Sequence, residues 1–381
     1  MSSLQVLRCP VQTYHWGRPG ERSLVGRLAL RGGHMADISD TTPYAELWMG
    51  THPTKPSLLA DGKPLADMKG AHDLSFLLKI LSVETALSIQ AHPDKALAAE
   101  LRATTPEHYP DDNHKPEMAI ALTEFEVLCR FRPLEDIDAF VSGVPELRQV
   151  IGPSPIQTKE ELRTAFNALM TSPANVFQPQ LENLVARLAN GDASGVIPPN
   201  LCDVVLRVAK QYPNDVGLFC MFFLNYLTLQ PGEALFLAAN EPHAYLRGDC
   251  VECMATSDNV VRAGLTPKFR DVNTLVNMLT YESTRDVRFK PERIDEQVSR
   301  FRPPVDDFAV MQIRLGAADE EPRKMQPTDS AGSICIVVEG FGQLISNGSK
   351  LDVRQGTVVY IPPASEVSVQ GELLLFQAYT P

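Results

Sequence analysis

The sequence predicts a mainly β chain interrupted by an inserted α-helical domain, and three observations predict it. From the N-terminus to about residue 132, short apolar runs such as 76–82 and 124–131 are separated by clusters of Gly, Pro and Asp, the pattern of strands and turns. Between about residues 134 and 226 the apolar period becomes helical. After Leu229 the strand pattern returns and runs to the C-terminus. These changes predict a discontinuous first β domain (residues 1–133 plus 227–290), a helical domain (134–226) and a second β domain (291–381).

In the helical part, Thr158 and Glu161 form a capping box ahead of Leu162, Ala165, Phe166, Leu169 and Met170, which share one helix face. Leu181, Leu184, Val185 and Leu188 repeat the pattern and run into Gly191, a helix stop. Val204, Val205, Val208 and Tyr212 form a third amphipathic set. The strand pattern resumes with the turn Gln230-Pro231-Gly232-Glu233 and the run 234–239. Near the C-terminus, Gln355-Gly356-Thr357 precedes a similar run, 358–361. Aligning Gly356 with Gly232 sets Val367 where His243 stands, which suggests two related β-barrels, one able to bind metal and one not. Asn347-Gly348 reads as a hairpin turn.

A chain of 381 residues with 44% hydrophobic and 22% charged content can bury a sizeable core. Its net charge of −12 argues against general affinity for nucleic acid or anionic membrane, which needs clustered positive potential. The most apolar stretch, 216–229, is shorter than a bilayer span and contains Asn225, and the N-terminus lacks the pattern of a signal peptide, so a cytoplasmic location is expected. Seven scattered cysteines do not resemble a disulfide framework. Cys250 and Cys253 spell C-x-x-C, but residues three apart on a strand point to opposite faces, so buried thiols are expected.

Chemistry concentrates in Gln90, His92, Glu117 and His243. In Leu87-Ser88-Ile89-Gln90-Ala91-His92 the alternation puts Gln90 and His92 on one face, with Ser88 in line. Two imidazoles, an amide oxygen and a carboxylate suit zinc and leave a position open for water or a substrate oxygen. Any single histidine is more often a surface or satisfied core residue, and spacing alone leaves both readings open. Lys79, inside the apolar run 76–81, is either a snorkelling lysine on an edge strand or an ammonium meeting an anion in a cavity. Lys115, Arg262 and Lys268 carry the same two readings, and together they can hold a phosphate. Glu46 and Glu252 lie in apolar strands, where burial raises a carboxyl toward a useful range, or they are structural hydrogen-bonders.

Four segments carry a resemblance to a known family: residues 44–53 around Glu46, 87–95 around Gln90 and His92, 113–118 around Glu117, and 257–268 from Ser257 to Lys268. In this order they closely resemble the type I mannose-6-phosphate isomerases, or phosphomannose isomerases, from Trp16 to about Leu279. The resemblance implies two cupin-like (jelly-roll) β-barrels besides the helical insertion. It implies one Zn2+ per chain on Gln90, His92, Glu117 and His243, and an arginine essential for catalysis at Arg262. It implies a substrate pocket lined by Trp16, Glu46, Lys79, Ser88, Lys115, Tyr245 and Glu252. Ala96, where a lysine is frequent, and Ser75, where proline is frequent, depart from the family without touching a ligand.

The expected function is therefore zinc-dependent interconversion of mannose 6-phosphate and fructose 6-phosphate, by proton transfer through an enediol, in the supply or use of mannose 6-phosphate for GDP-mannose and glycan synthesis. Glu252 and Lys115 are the base candidates, with Arg262 holding the phosphate or the developing oxyanion, and Lys268 is placed with the substrate. The expected partner is a small phosphosugar, and the chain is expected to be a monomer. An iron-dependent oxygenase and a non-catalytic sugar-phosphate sensor are the competing readings: Gln90 and the cationic pocket speak against the first, and Arg262, Lys115 and Glu252 kept together beside an open metal position speak against the second.

Overall fold

The strand Phe76–Val83 is buried at every position, because it has strands on both sides and side chains packed over both faces. In this computed structural model, which describes residues 4–193, 195–319, 321–329 and 331–381, it lies between Glu46–Met49 and the long strand His243–Ala255. An edge position for Lys79 is thereby ruled out. The long strand changes partners along its length. Its first residues pair with Ile89–Ala91 and Phe125–Phe131, and its remainder with Phe76–Val83 and Glu117–Ala121. The change falls at Gly248 (φ 120), where a Cβ would stand 2.4 Å from the Glu124 carbonyl oxygen. The result is an 11-stranded antiparallel sheet in which the long strand joins two sets of partners.

Cross-strand partners show which face each side chain takes. The rows Leu47, Ile80, Val251, Ile120 and Met49, Leu78, Cys253, Met118 enter one apolar core together with Phe308, Val310, Ile334 and Val358 from the C-terminal segment. The alternate rows, Trp48, Lys79, Glu252, Ala119 and Glu46, Leu81, Cys250, Ala121, face the other way. Cys250 and Cys253 thus lie on opposite faces, and burial pushes both thiols well above their ordinary range.

The helical insertion leaves the sheet after Phe125–Phe131 and returns through Leu224–Leu229, which pairs antiparallel with it. Its main helices are Leu134–Gly143, Pro145–Ile151, Lys159–Thr171, Ala174–Ala189 and Pro199–Gln211. The Thr158–Glu161 capping box is formed, and Leu162, Phe166, Leu169, Leu181, Leu184, Leu188, Val204, Val205 and Val208 are buried in one core. Ala165 and Val185 are only half-buried.

A second sheet of 9 strands is built mostly from the C-terminal segment, with the N-terminal strand Gln5–Val6 paired to Val358–Ile361. The turn-strand alignment read from the sequence is visible in its backbone. Gly232 (φ 89) matches Gly356 (φ 88), and Asn240 (φ 63) matches Ala364 (φ 56). The strands Ala234–Leu237 and His243–Ala255 match Val358–Ile361 and Val367–Tyr379. Leu237 is paired with Glu117, and Ile361 with Ser333. Where the first sheet has His243 and Glu117, the second has Val367 and Ser333.

The two sheets are tied by buried His34. Its Nδ1 accepts from the Cys9 N–H at 3.1 Å, so the proton sits on Nε2, which donates to the Gly356 carbonyl at 2.9 Å. Burial lowers its pKa and keeps it neutral. His34→Ala should cost about 3 kcal/mol, because it orphans a buried donor and a buried acceptor. The unfolded chain protonates this imidazole from about pH 6.5 downward while the folded one resists. The His34 contribution is therefore present above that pH and lost as pH falls. Urea midpoints at pH 7.5 and 5.5 should drop further in the wild type than in the variant.

Candidate metal centre and adjoining cleft

Strand register assembles the centre. Gln90 stands directly opposite His243 on one side and Arg262, in Val261–Gly264, on the other, so the three side chains share a face. His92 follows the end of Ile89–Ala91. Its carbonyl accepts from the Asn240 N–H at 2.7 Å, and Asn240 Nδ2 donates to Asp94, the cap of the helix Lys95–Thr104. Glu117 opens the neighbouring strand Glu117–Ala121.

The two imidazoles are oriented by backbone carbonyls. His92 Nδ1 lies 2.6 Å from the Asn259 oxygen and His243 Nδ1 lies 3.2 Å from the Glu241 oxygen. A carbonyl only accepts, so both protons are on Nδ1 and both Nε2 atoms present lone pairs. Those lone pairs point at one carboxylate: His92 Nε2 is 3.4 Å from Glu117 Oε1, and His243 Nε2 is 3.2 Å from Glu117 Oε2. Both Nε2 atoms and Glu117 Oε2 are buried without a hydrogen-bond partner. Burial pushes His92 down to about 4. Burial alone would raise Glu117, but Lys115, His92 and His243 outweigh it and hold the carboxyl well below its usual range. Acceptors facing acceptors in a dry site repel one another, and a divalent cation between them reverses the sign. The donor set, with Gln90 added, suits zinc.

Beside the centre lies a cleft of about 340 Å³. Trp16, Glu46, Lys79, Ser88, Gln90, Lys115, Arg262 and Lys268 all line it, whereas His92, Glu117 and His243 are buried beneath. Ser88 Oγ donates to Gln90 Oε1 at 3.1 Å. Glu252 and Tyr245 do not reach the wall. Glu252 is buried, its carboxyl raised by burial, and it receives Lys79 Nζ at 3.1 Å. Tyr245 packs on Phe125 at 5.2 Å, and burial raises its hydroxyl well above the usual value. Lys79 also lies 3.8 Å from Glu46 and over the Trp48 ring. Burial disfavours its charge, but Glu46 and Glu252 outweigh burial and keep it an ammonium. Lys115 is 3.2 Å from Glu117.

Arg262 and Lys268 differ from these lysines, since neither is paired with a carboxylate among the described residues. Arg262 is half-buried, and burial lowers its pKa. An arginine in that setting calls for an anion from outside.

Sequence reasoning missed Tyr14, His15, Trp48, Tyr212 and Asp258, which also line the cleft. Trp48 was within reach, two residues from Glu46 on the same strand and therefore on the same face. Tyr14 and His15 sit in a loop without periodicity, and Tyr212 arrives from the helical insertion.

Residues 4–134 match the family described as phosphomannose isomerase type I, catalytic domain, and residues 144–224 match the helical insertion domain of the same family. The mannose-6-phosphate isomerase of Bos taurus is 45% identical over 98% of this chain and 97% of its own. That of Schizosaccharomyces pombe is 38% identical over 98% of each chain. Among solved structures, the mannose 6-phosphate isomerase of Salmonella typhimurium bound to its substrate fructose 6-phosphate and zinc superposes with a TM-score of 0.86 at 30% identity, covering 100% of both chains.

Replacing one of the converging lone pairs tests the centre directly. His243→Ala should lower zinc bound per chain well below one, measured by elemental analysis after equilibration with limiting zinc, while the far-ultraviolet dichroism stays that of a folded chain. An undiminished zinc content would remove His243 from the ligand set.

Proposed function

The chain belongs to the type I phosphomannose isomerase family, and from that premise we propose that it is a zinc-dependent aldose-ketose isomerase interconverting mannose 6-phosphate and fructose 6-phosphate. The observation that carries the reading is the set of buried lone pairs on His92, His243 and Glu117, beside a cleft with two cations, Arg262 and Lys268, that lack carboxylate partners among the described residues. The two antiparallel sheets and their repeated turns support two barrels of the cupin-like, jelly-roll kind. We divide the chain at 1–133 plus 227–290, 134–226 and 291–381, a reading supported by the run of helices between Phe125–Phe131 and Leu224–Leu229.

Gln90, His92, Glu117 and His243 would hold the zinc. When bound, it supplies Lewis acidity where negative charge develops on the substrate oxygens at C1 and C2. The chain's own residues do the rest. Lys268, at the exposed rim, meets the phosphate, and Arg262, directly across from Gln90, reaches toward the reacting carbons. A proton leaves C2 of the open-chain aldose and is returned to C1, while the hydroxyl proton of O2 passes to O1, so that the C1 carbonyl becomes a hydroxyl and the C2 hydroxyl a carbonyl. Of the two base candidates, exposure to the cleft supports Lys115, which must first release its ammonium proton to act as a neutral amine, because Glu252 is shielded and engaged by Lys79. Glu252 then acts through Lys79, whose charge it fixes. Trp16 and Glu46 close the wall on the side of Lys79, and Tyr245 supports His243 from behind, at 6.2 Å between rings.

We place this activity in a cytoplasmic monomer that supplies or consumes mannose 6-phosphate for GDP-mannose and glycan synthesis. Net charge −12 gives no footing for nucleic acid, and among the described residues no helix is long and apolar enough to cross a membrane.

Purified protein should convert mannose 6-phosphate to fructose 6-phosphate, stop after chelation and resume on adding zinc. No turnover in any of these states would refute the reading. In heavy water the product should carry solvent hydrogen at C1, and complete absence of label would favour a hydride shift. Arg262→Ala should keep its zinc and lose about a hundredfold in kcat/KM, the scale of one lost transition-state contact.

A further inference from the structure

One short stretch of the helical insertion, between the helix Pro199–Gln211 and Gly217, reaches both walls of the cleft. On one side Gln211 Oε1 accepts from the Ala86 N–H at 3.1 Å, and the Tyr212 hydroxyl donates to the Ala86 carbonyl at 2.6 Å, two residues before Ser88. On the other side Asp215 Oδ1 accepts from Leu265 N at 2.8 Å and Gly217 N at 2.7 Å, and its Oδ2 accepts from Thr266 N at 3.2 Å. Among the described residues Asp215 forms no ion pair with a lysine or arginine. Its carboxylate is turned wholly onto backbone N–H groups.

The gripped segment is the one that leads to Lys268. Leu265 sits at φ 55, a left-handed conformation that a leucine adopts only when its surroundings impose it. Its side chain is buried with Val216, Leu218 and Phe219 in the helical core. Gly217 and Gly264 meet backbone to backbone: a Cβ on Gly264 would come within 2.7 Å of Gly217, and one on Gly217 within 2.8 Å of the Leu265 nitrogen. Thr266 Oγ1 then accepts from Lys268 N at 3.1 Å. Arg262 is held differently, by the pairing of its strand with Gln90. Both cations rest on the insertion to some degree, since Val261 and Ala263 also enter the helical core, but the Asp215 hydrogen bonds to this segment fall only on residues 265 and 266, on the Lys268 side of the strand.

We propose that Asp215 is a positioning residue for the phosphate end of the substrate, clamping residues 265–266 so that Lys268 is presented to the phosphate. The inference rests on the phosphosugar reading above. It predicts a division between binding and chemistry. Asp215→Asn swaps an acceptor oxygen for an amide that faces an N–H, which loosens Lys268 but leaves Arg262 and the metal ligands in place.

The zinc-loaded full chain is compared with Asp215→Asn and Asp215→Glu by steady-state isomerisation and by calorimetric titration with inorganic phosphate. Asp215→Asn should raise KM for mannose 6-phosphate about tenfold and weaken phosphate binding by the same factor, with kcat within about twofold of wild type. Asp215→Glu, which restores the charge, should recover part of both losses. Wild-type KM and phosphate affinity would overturn the proposal, and so would a fall in kcat at unchanged KM. Should the Asn variant not fold, the Glu variant decides alone: a joint rise in KM and phosphate dissociation constant supports the clamp, and wild-type values refute it. A wild type that does not isomerise but binds phosphate more tightly than Asp215→Asn would refute the isomerase reading and leave the clamp standing.

Discussion

The arrangement on which the rest of the site depends is the convergence of two imidazole lone pairs on the carboxylate of Glu117. It is set by backbone, since the Asn259 and Glu241 carbonyls take the Nδ1 protons and leave Nε2 no alternative. The Asn259 carbonyl is fixed in turn, because Asn259 Nδ2 donates to the carbonyls of Asp111 and Asn113 at 2.8 and 3.0 Å. Antiparallel register then supplies Gln90 beside His243 and Arg262 beside Gln90. A slip of one residue in Ile89–Ala91 would turn Gln90 out of this row and replace it with an apolar neighbour.

Charge follows the same economy of placement. The sheet face under the cleft carries three buried carboxylates, Glu46, Glu117 and Glu252, against two buried ammoniums, Lys79 and Lys115. Each ammonium contacts a carboxylate, which is the condition for keeping ions in a dry interior. A divalent cation at the centre tips this balance to positive. Arg262 and Lys268, without carboxylate partners among the described residues, carry the excess toward the cleft mouth, so the field favours an anion even though the whole chain is acidic. An acidic protein thus captures an anionic substrate by local field alone.

Much of this was legible in the sequence, for identifiable reasons. Period changes announced the helical insertion because its helices bury one face each, and the Thr158–Glu161 box is a local device that needs no tertiary context. Gly232 and Gly356 betrayed the repeat because both turns need a left-handed residue. The position of Lys79 was not decidable from its neighbours: an edge strand and a doubly paired strand have the same apolar run, and only the partners Glu46–Met49 and His243–Ala255 distinguish them. The shielding of Glu252 was hidden likewise, since it depends on Lys79 lying across from it. The contacts of Gln211, Tyr212 and Asp215 with Ala86 and Leu265 join chain segments far apart, and no local pattern announces them.

The paired sheets show what the centre costs. In the second sheet, Ser333 stands where Glu117 does in the first, and Val367 where His243 does. There the buried Ser333 and Gln377 side chains are satisfied internally: Gln377 donates to Ser333 Oγ at 2.8 Å and to the Gln326 carbonyl at 2.8 Å, and it accepts from the Gln326 N–H at 2.9 Å. Val367 joins an apolar core with Val369, Leu375 and Met325. Nearly the same turn and strand geometry therefore supports two outcomes. One satisfies the polar side chain at the matching position, Ser333, and packs the interior. The other leaves His92 Nε2, His243 Nε2 and Glu117 Oε2 without partners in the driest part of the molecule, a local penalty that well-packed neighbours such as Ile89, Ala91 and Phe125 must hold in place. An unsatisfied set of that kind makes physical sense where a ligand completes it, which is why the contrast between the two sheets argues for a metal more strongly than either histidine does alone.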